Sequence, residues 1–253
     1  MNENGAAEGG APFPERLNWH IVSYPRSGNH AVRALVEYVT KRPTVASLEA
    51  SESDKAIYLR SANQAADVIK IDDDEPVGYK AHSLHRLVEN AARSPSPFGL
   101  ILITRDPADA IVSHLYPKYE RWKSKLDKKR LFFARHRRKT WEEIDWRAEI
   151  RNNYNGYLSC VFAYLAWKGR PRIHLKYEDL TSDGYAFAQS FSQKLGFDGT
   201  LDPSETKTVL SLSRDSLNRK AGRKRDPELV GELQELIAKH ESYDEILDII
   251  DGW

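Results

Sequence analysis

The sequence predicts an α/β fold: a single domain with a mostly parallel central sheet and helices on both of its faces. Two observations support this prediction. Segments of β-forming residues alternate along the chain with segments whose apolar residues recur at helical spacing. In addition, the segment 98–104 is almost continuously apolar, which is typical of a strand that is buried on both faces of a parallel sheet.

The predicted strands are short and end at turn-forming residues. They lie at 17–23, 56–59, 76–81, 98–104 and 172–177. The predicted helices lie between or after these strands, at 32–39, 62–69, 107–115, 141–167, 185–195, 227–239 and 242–250. Asp106 followed by Pro107 marks one helix start clearly, because Asp caps a helix N-terminus and Pro fits its first turn. Since parallel strands end at one edge of the sheet, side chains that follow them should meet there.

Length and composition indicate one globular domain. The chain has 253 residues, a formal net charge of +1, and ordinary shares of hydrophobic (40%) and charged (30%) residues. Cys160 is the single cysteine, so no disulfide can form within the chain, and no apolar run is long enough to span a bilayer. We therefore expect a cytoplasmic, soluble domain over 16–253, preceded by a disordered tail over 1–15 that is rich in Gly, Ala and Pro.

The residues Tyr24-Pro-Arg-Ser-Gly-Asn-His30 join the first predicted strand to its helix. Backbone N–H groups in such a turn, together with those of the helix N-terminus, bind anions. Gly28 allows the backbone to approach a ligand closely, and Arg26 adds a positive charge. The spacing G-x-x-x-x-G-K-[ST] of nucleotide hydrolases is absent. The segment is therefore either a phosphate loop of another type or an ordinary strand–helix turn, where Gly, Ser and Asn are also common.

A second candidate site follows the apolar strand 98–104. Arg105 leaves the end of this strand, and Ser113 lies about two helical turns further along. A guanidinium can bind a phosphate through two N–H groups, and a hydroxyl can add one hydrogen bond. The alternative is an Arg–Asp pair on the surface of a well-capped helix.

Taken together, the two segments resemble the sulfotransferases that use 3′-phosphoadenosine 5′-phosphosulfate (PAPS). Residues 24–29 fit the family's 5′-phosphosulfate loop, Y-P-[KR]-[SA]-G-[NT]-T-W, and residues 105–113 fit its R-[DN]-P-x-D-x-x-x-S segment at every fixed position. The sequence departs from the loop pattern at His30, where Thr is usual, and at Ala31, where a Trp usually stacks on adenine.

The resemblance implies a P-loop-like phosphate-binding turn and a set of donor-binding residues. The 5′-phosphosulfate would be held by Arg26, Ser27, Gly28, Asn29 and His30, and the 3′-phosphate by Arg105 and Ser113. Tyr177 begins a segment similar to the family's Y-E-D-L, whose Tyr lies near the adenine. The family's late R-K-G-x-x-G-D-W loop is shortened here to 219–224, without the G-D-W part. Its remaining residues, Arg219, Lys220 and Gly222, would complete the 3′-phosphate site.

The resemblance also implies a mechanism. Lys80-Ala-His82 is similar to the K-[ST]-H segment that carries the family's catalytic Lys and His. In an in-line displacement, His82 would be the general base that takes the proton from an acceptor hydroxyl or amine. Lys80 and Arg26 would stabilise the sulfuryl oxygens and the bridging oxygen of the leaving group, so no metal is expected. His85 is a competing candidate for the base.

Segment 118–139 is strongly basic. Its 22 residues contain eleven Lys or Arg against Glu120 and Asp127, a net charge of +9. The segment is either a solvated insertion near the mouth of the active site or a lid that attracts an anionic acceptor. We therefore expect the acceptor to be a small molecule, a glycan or a lipid, and an anionic one if the segment is a lid. We expect neither a specific nucleic acid partner nor a transmembrane segment.

Other functions stay open at this point. An ATP-dependent small-molecule kinase with a divergent phosphate loop would need a carboxylate for Mg²⁺ at a strand end, where this chain has Thr104-Arg105. A non-enzymatic protein could bind a polyanion through 118–139, which would leave Arg105 and the loop at 24–29 unexplained. The departure at Ala31 is also compatible with an inactive sulfotransferase.

Overall fold

The computed structural model describes residues 17–45, 68, 72, 75–93, 98–116, 145–168, 170–211, 227–240 and 243–252. Some predictions concern other parts of the chain and lie outside the described residues. They are the tail 1–15, the strand 56–59, the helix 62–69 apart from Val68, the basic segment 118–139, the first residues of two helices (141–144 and 242), and Arg219, Lys220 and Gly222.

Among the described residues, five parallel strands form the central sheet. They are β1 Asn18–Val22, β2 Thr44–Val45, β3 Gly78–Ala81, β4 Phe98–Thr104 and β5 Arg172–Lys176. Their order is β2-β3-β1-β4-β5, and every pair of neighbours is parallel. β1 is central: Ile21 is in register with Lys80 of β3 and with Ile101 of β4. β2 and β3 lie on one side of β1, and β4 and β5, which come later in the chain, lie on the other. Ligands of α/β sheets bind at the point where the strand order reverses in this way.

Nine helices complete the regular structure of the described residues. They are α1 Asn29–Thr40, α2 Leu84–Arg93, α3 107–116, α4 Trp146–Ala166, α5 Tyr177–Ser182, α6 Gly184–Lys194, α7 203–211, α8 Pro227–Ala238 and α9 Tyr243–Asp251. In this part of the chain, no helix combines the length and the apolar character needed to cross a membrane.

The sheet is buried on both faces. On one face, Ile101 and Ile103 of β4 belong to a core cluster with residues of α1 and α6. On the other face, Leu100 and Leu102 pack with residues of α3, α4, α8 and α9. Each of these four side chains is at most 1% exposed, which explains why the segment 98–104 has no polar face. The predicted α/β fold class, with helices on both faces of a parallel sheet, is confirmed.

Most predicted elements agree with the structure to within a few residues. The helix start at Asp106 is confirmed: the Asp106 Oδ1 accepts a hydrogen bond from the Asp109 N–H at 2.9 Å. The predicted strand at 172–177 is one residue too long, because Tyr177 is already the first residue of α5.

The sequence analysis did not identify β2, α2, α5 and α7. Local signals for two of them exist. Ser83 caps α2, since its Oγ accepts from the Arg86 N–H at 3.3 Å. Asp202 and Pro203 begin α7, and the Asp202 Oδ1 accepts from the Glu205 N–H at 2.8 Å. This is the same Asp-Pro signal that marks α3.

Candidate active site

Four neighbouring strands end at the residues that the sequence motifs contain. β1 leads into the loop 24–28, β3 into His82, β4 into Arg105 and β5 into Tyr177. Because these strands are parallel neighbours, the four segments lie at one edge of the sheet. The motifs are therefore brought to the same end of the molecule, although they are far apart in the chain.

The loop 24–28 has the backbone geometry of an anion site. Gly28 is the N-cap of α1, with a left-handed φ of 94° and ψ of 8°. Within the described part of the chain, the N–H groups of Gly28 and Asn29 donate to no acceptor, whereas the Ser27 N–H lies 3.3 Å from the Tyr24 carbonyl oxygen. Unused N–H groups at the positive end of a helix favour a bound anion.

Tyr177 packs directly against this loop. A Cβ atom at position 28 would lie 2.7 Å from Cδ2 of Tyr177 and 2.9 Å from Cδ1 of Ile103. Both distances are shorter than van der Waals contact, and φ is positive, so position 28 requires glycine for two separate reasons. The Tyr177 ring therefore forms one wall of the loop.

The side chains of Ser27 and Asn29 are buried beneath the loop. They are 0% and 4% exposed, and the Asn29 Nδ2 donates to the Ser23 Oγ at 3.0 Å. The Ser27 Oγ and the Asn29 Oδ1 have no hydrogen-bond partner among the described residues. An amide oxygen can only accept, so the Asn29 Oδ1 cannot bind an anion, whereas the Ser27 hydroxyl is able to donate to one.

Arg105 connects the loop to Tyr177. Its Nη1 donates to the Arg26 carbonyl oxygen at 3.4 Å, and its Nη2 donates to the Asp109 Oδ2 at 3.1 Å. Its guanidinium also lies over the Tyr177 ring, 4.8 Å from the ring centroid. Arg26 itself has a positive φ of 75°, which is a strained conformation for a residue with a Cβ atom.

Helix α4 holds both motifs in place. The Tyr24 hydroxyl donates to the Asn153 Oδ1 at 2.5 Å, and the Tyr157 hydroxyl donates to the Arg105 carbonyl oxygen at 2.6 Å. Burial raises the pKa of both tyrosines above the ordinary value, so they remain protonated donors. The sequence analysis missed Asn153 and Tyr157, because these contacts join residues 129 and 52 positions apart.

His82 is held in one tautomer. Its Nδ1 lies 2.6 Å from the carbonyl oxygen of Ser23. A carbonyl can only accept, so Nδ1 carries the proton and Nε2 is the basic nitrogen. Burial, followed by the positive charge of Lys80, lowers the pKa of His82 to about 4. The imidazole is therefore neutral at pH 7, and Nε2 makes no hydrogen bond within the described part of the chain.

The competing histidine, His85, has a different environment. It lies on α2, its side chain is 80% exposed, and its Nε2 is 3.3 Å from the Glu89 Oε1. His85 is the second residue of α2, whereas His82 directly follows β3. Of the two histidines, His82 alone is fixed against the loop after β1.

The remaining predicted residues are placed as follows. Lys80 is half-buried near the end of β3, His30 is half-buried in the first turn of α1, and Ser113 is buried on α3. Ala31 is 5% exposed and belongs to the core cluster beneath α1. Position 31 therefore presents no side-chain surface on which adenine could stack.

A sequence model described as the sulfotransferase domain matches residues 18–210 of this chain, which therefore belongs to the sulfotransferase family. A search of curated proteins finds no match. Among solved structures, the chain is similar to a sulfotransferase from Alicyclobacillus acidocaldarius, with 14% identity, a TM-score of 0.40, and coverage of 90% of this chain and 98% of that chain. It is also similar to retinol dehydratase in a complex with retinol and PAP, with 15% identity, a TM-score of 0.42, and coverage of 87% and 80%.

Proposed function

We propose that this protein transfers a sulfuryl group from PAPS to an acceptor hydroxyl or amine and releases adenosine 3′,5′-bisphosphate (PAP). Membership of the sulfotransferase family supports the type of reaction. The observation that carries the choice of donor is the position of Arg105, which contacts both the phosphate loop and the Tyr177 ring. A cation, unused backbone N–H groups and an aromatic ring thus adjoin one another at one edge of the sheet.

The two anionic ends of PAPS would bind to different motifs. The 5′-phosphosulfate would accept hydrogen bonds from the unused N–H groups of Gly28 and Asn29, at the positive end of α1. Arg26 would add a positive charge. The 3′-phosphate would bind the guanidinium of Arg105 and the hydroxyl of Ser113 on the following helix. Ser27 and His30 would complete the 5′ side of this site.

The adenine would lie near Tyr177 rather than near position 31. The Tyr177 ring is half-buried between the loop and Arg105, and aromatic–base stacking is worth about 1–3 kcal/mol per base. Ala31 is buried in the core and has no such surface. A role of Arg219, Lys220 and Gly222 in the 3′-phosphate site stays a prediction from the sequence.

In the proposed reaction, the acceptor oxygen or nitrogen attacks the sulfur in line with the leaving group. The bond between sulfur and the bridging oxygen of the 5′-phosphate breaks, and the acceptor's proton passes to Nε2 of His82. The Ser23 carbonyl supports this role by holding the tautomer whose Nε2 is basic. Lys80 and Arg26 would stabilise the charge on the sulfuryl and bridging oxygens.

The kinase alternative is less well supported. It needs a carboxylate for Mg²⁺ at the end of a strand, and none of the five strands described is directly followed by Asp or Glu. Two acids, Asp106 and Glu178, lie two residues beyond the end of a strand. Asp106 caps α3 and accepts a hydrogen bond from the Tyr243 hydroxyl at 2.6 Å, and the Glu178 Oε1 accepts one from the Asp106 N–H at 3.0 Å. Both carboxylates therefore already make structural hydrogen bonds.

For the acceptor, we propose an anionic small molecule, glycan or lipid that is attracted by the +9 segment 118–139. Electrostatic attraction at a surface weakens as salt is added. A Michaelis constant for an anionic acceptor that does not change with ionic strength would contradict this part of the proposal.

The donor site can be tested by the thermal stability of the protein with PAP, 5′-AMP and ATP. A ligand at about one hundred times its dissociation constant stabilises the folded state by about 2.7 kcal/mol, which is readily measured. We expect the wild type to be stabilised most by PAP, and we expect Arg105→Ala to lose the preference for PAP over 5′-AMP.

Arg170→Ala is the matched control, because the Arg170 guanidinium also lies 4.8 Å from a ring centroid, that of Trp167, but away from the motifs. It should keep the preference for PAP. If ATP stabilises the wild type as much as PAP does, or if neither nucleotide binds, the donor assignment is wrong.

A further inference from the structure

Two side chains from the C-terminal helices bind to the start of α3. The Gln234 Nε2 of α8 donates to the Asp109 Oδ1 at 2.7 Å. The Tyr243 hydroxyl of α9 donates to the Asp106 Oδ2 at 2.6 Å. Both helices lie beyond residues 18–210, the part of the chain that the family model matches. The contacts therefore join a segment outside the matched domain to one of its motifs.

Asp109 connects Gln234 to Arg105. The two carboxylate oxygens of Asp109 have separate partners: Oδ1 accepts from Gln234, and Oδ2 accepts from the Arg105 Nη2 at 3.1 Å. With both oxygens engaged, the rotation of the Asp109 carboxylate is fixed. Its position in turn fixes the guanidinium that lies over the Tyr177 ring.

The backbone around Asp109 is held as well. Its N–H donates to the Asp106 Oδ1 at 2.9 Å, while the Tyr243 hydroxyl binds the other oxygen of Asp106. The Tyr157 hydroxyl also donates a hydrogen bond to the Arg105 carbonyl oxygen. Tyr157 and Tyr243 thus hold the backbone and Asp106. Gln234 instead binds Asp109, the side chain that accepts directly from the Arg105 guanidinium.

We propose that Gln234 is a positioning residue for the 3′-phosphate site, acting through Asp109 on Arg105. A free arginine side chain loses considerable rotamer entropy when it binds a phosphate, and less is lost when its planar fork is held beforehand. This inference rests on the proposed function, because it assigns the 3′-phosphate of the donor to Arg105.

The cleanest variant is Gln234→Leu. It removes the hydrogen bond and leaves every formal charge in place, whereas a change at Asp109 would also remove a negative charge close to the bound phosphate. The readout is the ratio of the dissociation constants for 5′-AMP and PAP, measured by calorimetry on the full chain. We expect this ratio to fall by about 3- to 10-fold, which is less than the full contribution of a hydrogen bond to a charged carboxylate, because the effect reaches Arg105 only through Asp109.

Two further variants serve as controls. Glu235→Gln changes the neighbouring position, where the carboxylate pairs with Lys239 on the exposed side of the helix, and it should leave the ratio unchanged. Gln234→Met keeps the length of the side chain without its amide and should reproduce the effect of leucine. In an Asp109→Asn background, Gln234→Leu should change the ratio by less than about twofold, because residues that act through one another are not additive.

The outcomes separate this inference from the donor assignment. If the wild type does not prefer PAP to 5′-AMP, the proposed donor site is wrong and the inference fails with it. If the wild type prefers PAP and both Gln234 variants keep that preference, only the positioning role is wrong. Equal weakening of PAP and 5′-AMP would also overturn it, because it would indicate a general loosening of the fold.

Discussion

Gly28 offers a direct test of how the loop 24–28 is packed. Replacement by alanine has two costs in the structure. The backbone at position 28 has a φ of 94°, and a left-handed conformation costs a residue with a Cβ atom about 1–2 kcal/mol. The new Cβ would also lie 2.7 Å from the Tyr177 ring and 2.9 Å from Ile103, and relief of such overpacking costs about 1–3 kcal/mol more. We expect Gly28→Ala to lower the free energy of unfolding by about 2–5 kcal/mol.

Two other glycines separate these costs. Gly196 has a φ of 88° but open space around the position of its Cβ, so Gly196→Ala measures the backbone cost alone. Gly231 lies within α8, has an ordinary φ and also has open space. Gly231→Ala should therefore stabilise the protein by about 0.5–1 kcal/mol, through helix propensity.

Urea denaturation of the wild type and the three variants measures the comparison. The packing argument requires the order Gly28→Ala, then Gly196→Ala, then wild type, then Gly231→Ala, from the least to the most stable. If Gly28→Ala is no less stable than Gly196→Ala, the Tyr177 ring and Ile103 do not press against the loop as described. The wall of the proposed donor site would then be wrong as well.

Two other predictions concern histidines. His82→Ala should abolish most of the turnover at saturating donor, while His85→Ala should keep turnover near that of the wild type; the opposite result would transfer the role of base to His85. For His20, which is fully buried on β1 against Tyr79 and Phe98, burial lowers the pKa from 6.5 to about 4. The unfolded chain therefore binds a proton at His20 more readily than the folded protein does. Below pH 6.5 this preference lowers the free energy of unfolding, and the loss reaches about 3 kcal/mol by pH 4. His20→Leu should make the decline of the unfolding free energy between pH 7 and pH 5 shallower, and an unchanged decline would show that His20 is not the group responsible.

The local signals in the sequence were sufficient for most of the fold. The apolar run at 98–104 predicted a strand buried on both faces, and β4 has the same bounds. Asp106 and Pro107 predicted the start of α3 for a reason that needs no distant partner, since the cap is made by a residue three positions away. The same type of signal at Asp202 and Pro203 was available for α7 and was overlooked.

The order of motifs along the chain also indicated the edge of the sheet at which the candidate site lies. Each motif follows a strand, and parallel strands end on one side. What the sequence determined by itself is therefore most of the elements, the position of the loop between β1 and α1, and the identity of the residues that follow the strands. These features depend on neighbours within a few positions.

The tertiary structure alone decided how the side chains of those residues are placed. The tautomer of His82 depends on the Ser23 carbonyl, 59 positions away, and the orientation of Asp109 depends on Gln234, 125 positions away. Likewise, Tyr177 contacts Gly28 because β5 and β1 both flank β4. Such contacts arise when the order of strands brings distant segments together, and the spacing of residues along the chain carries no record of that order.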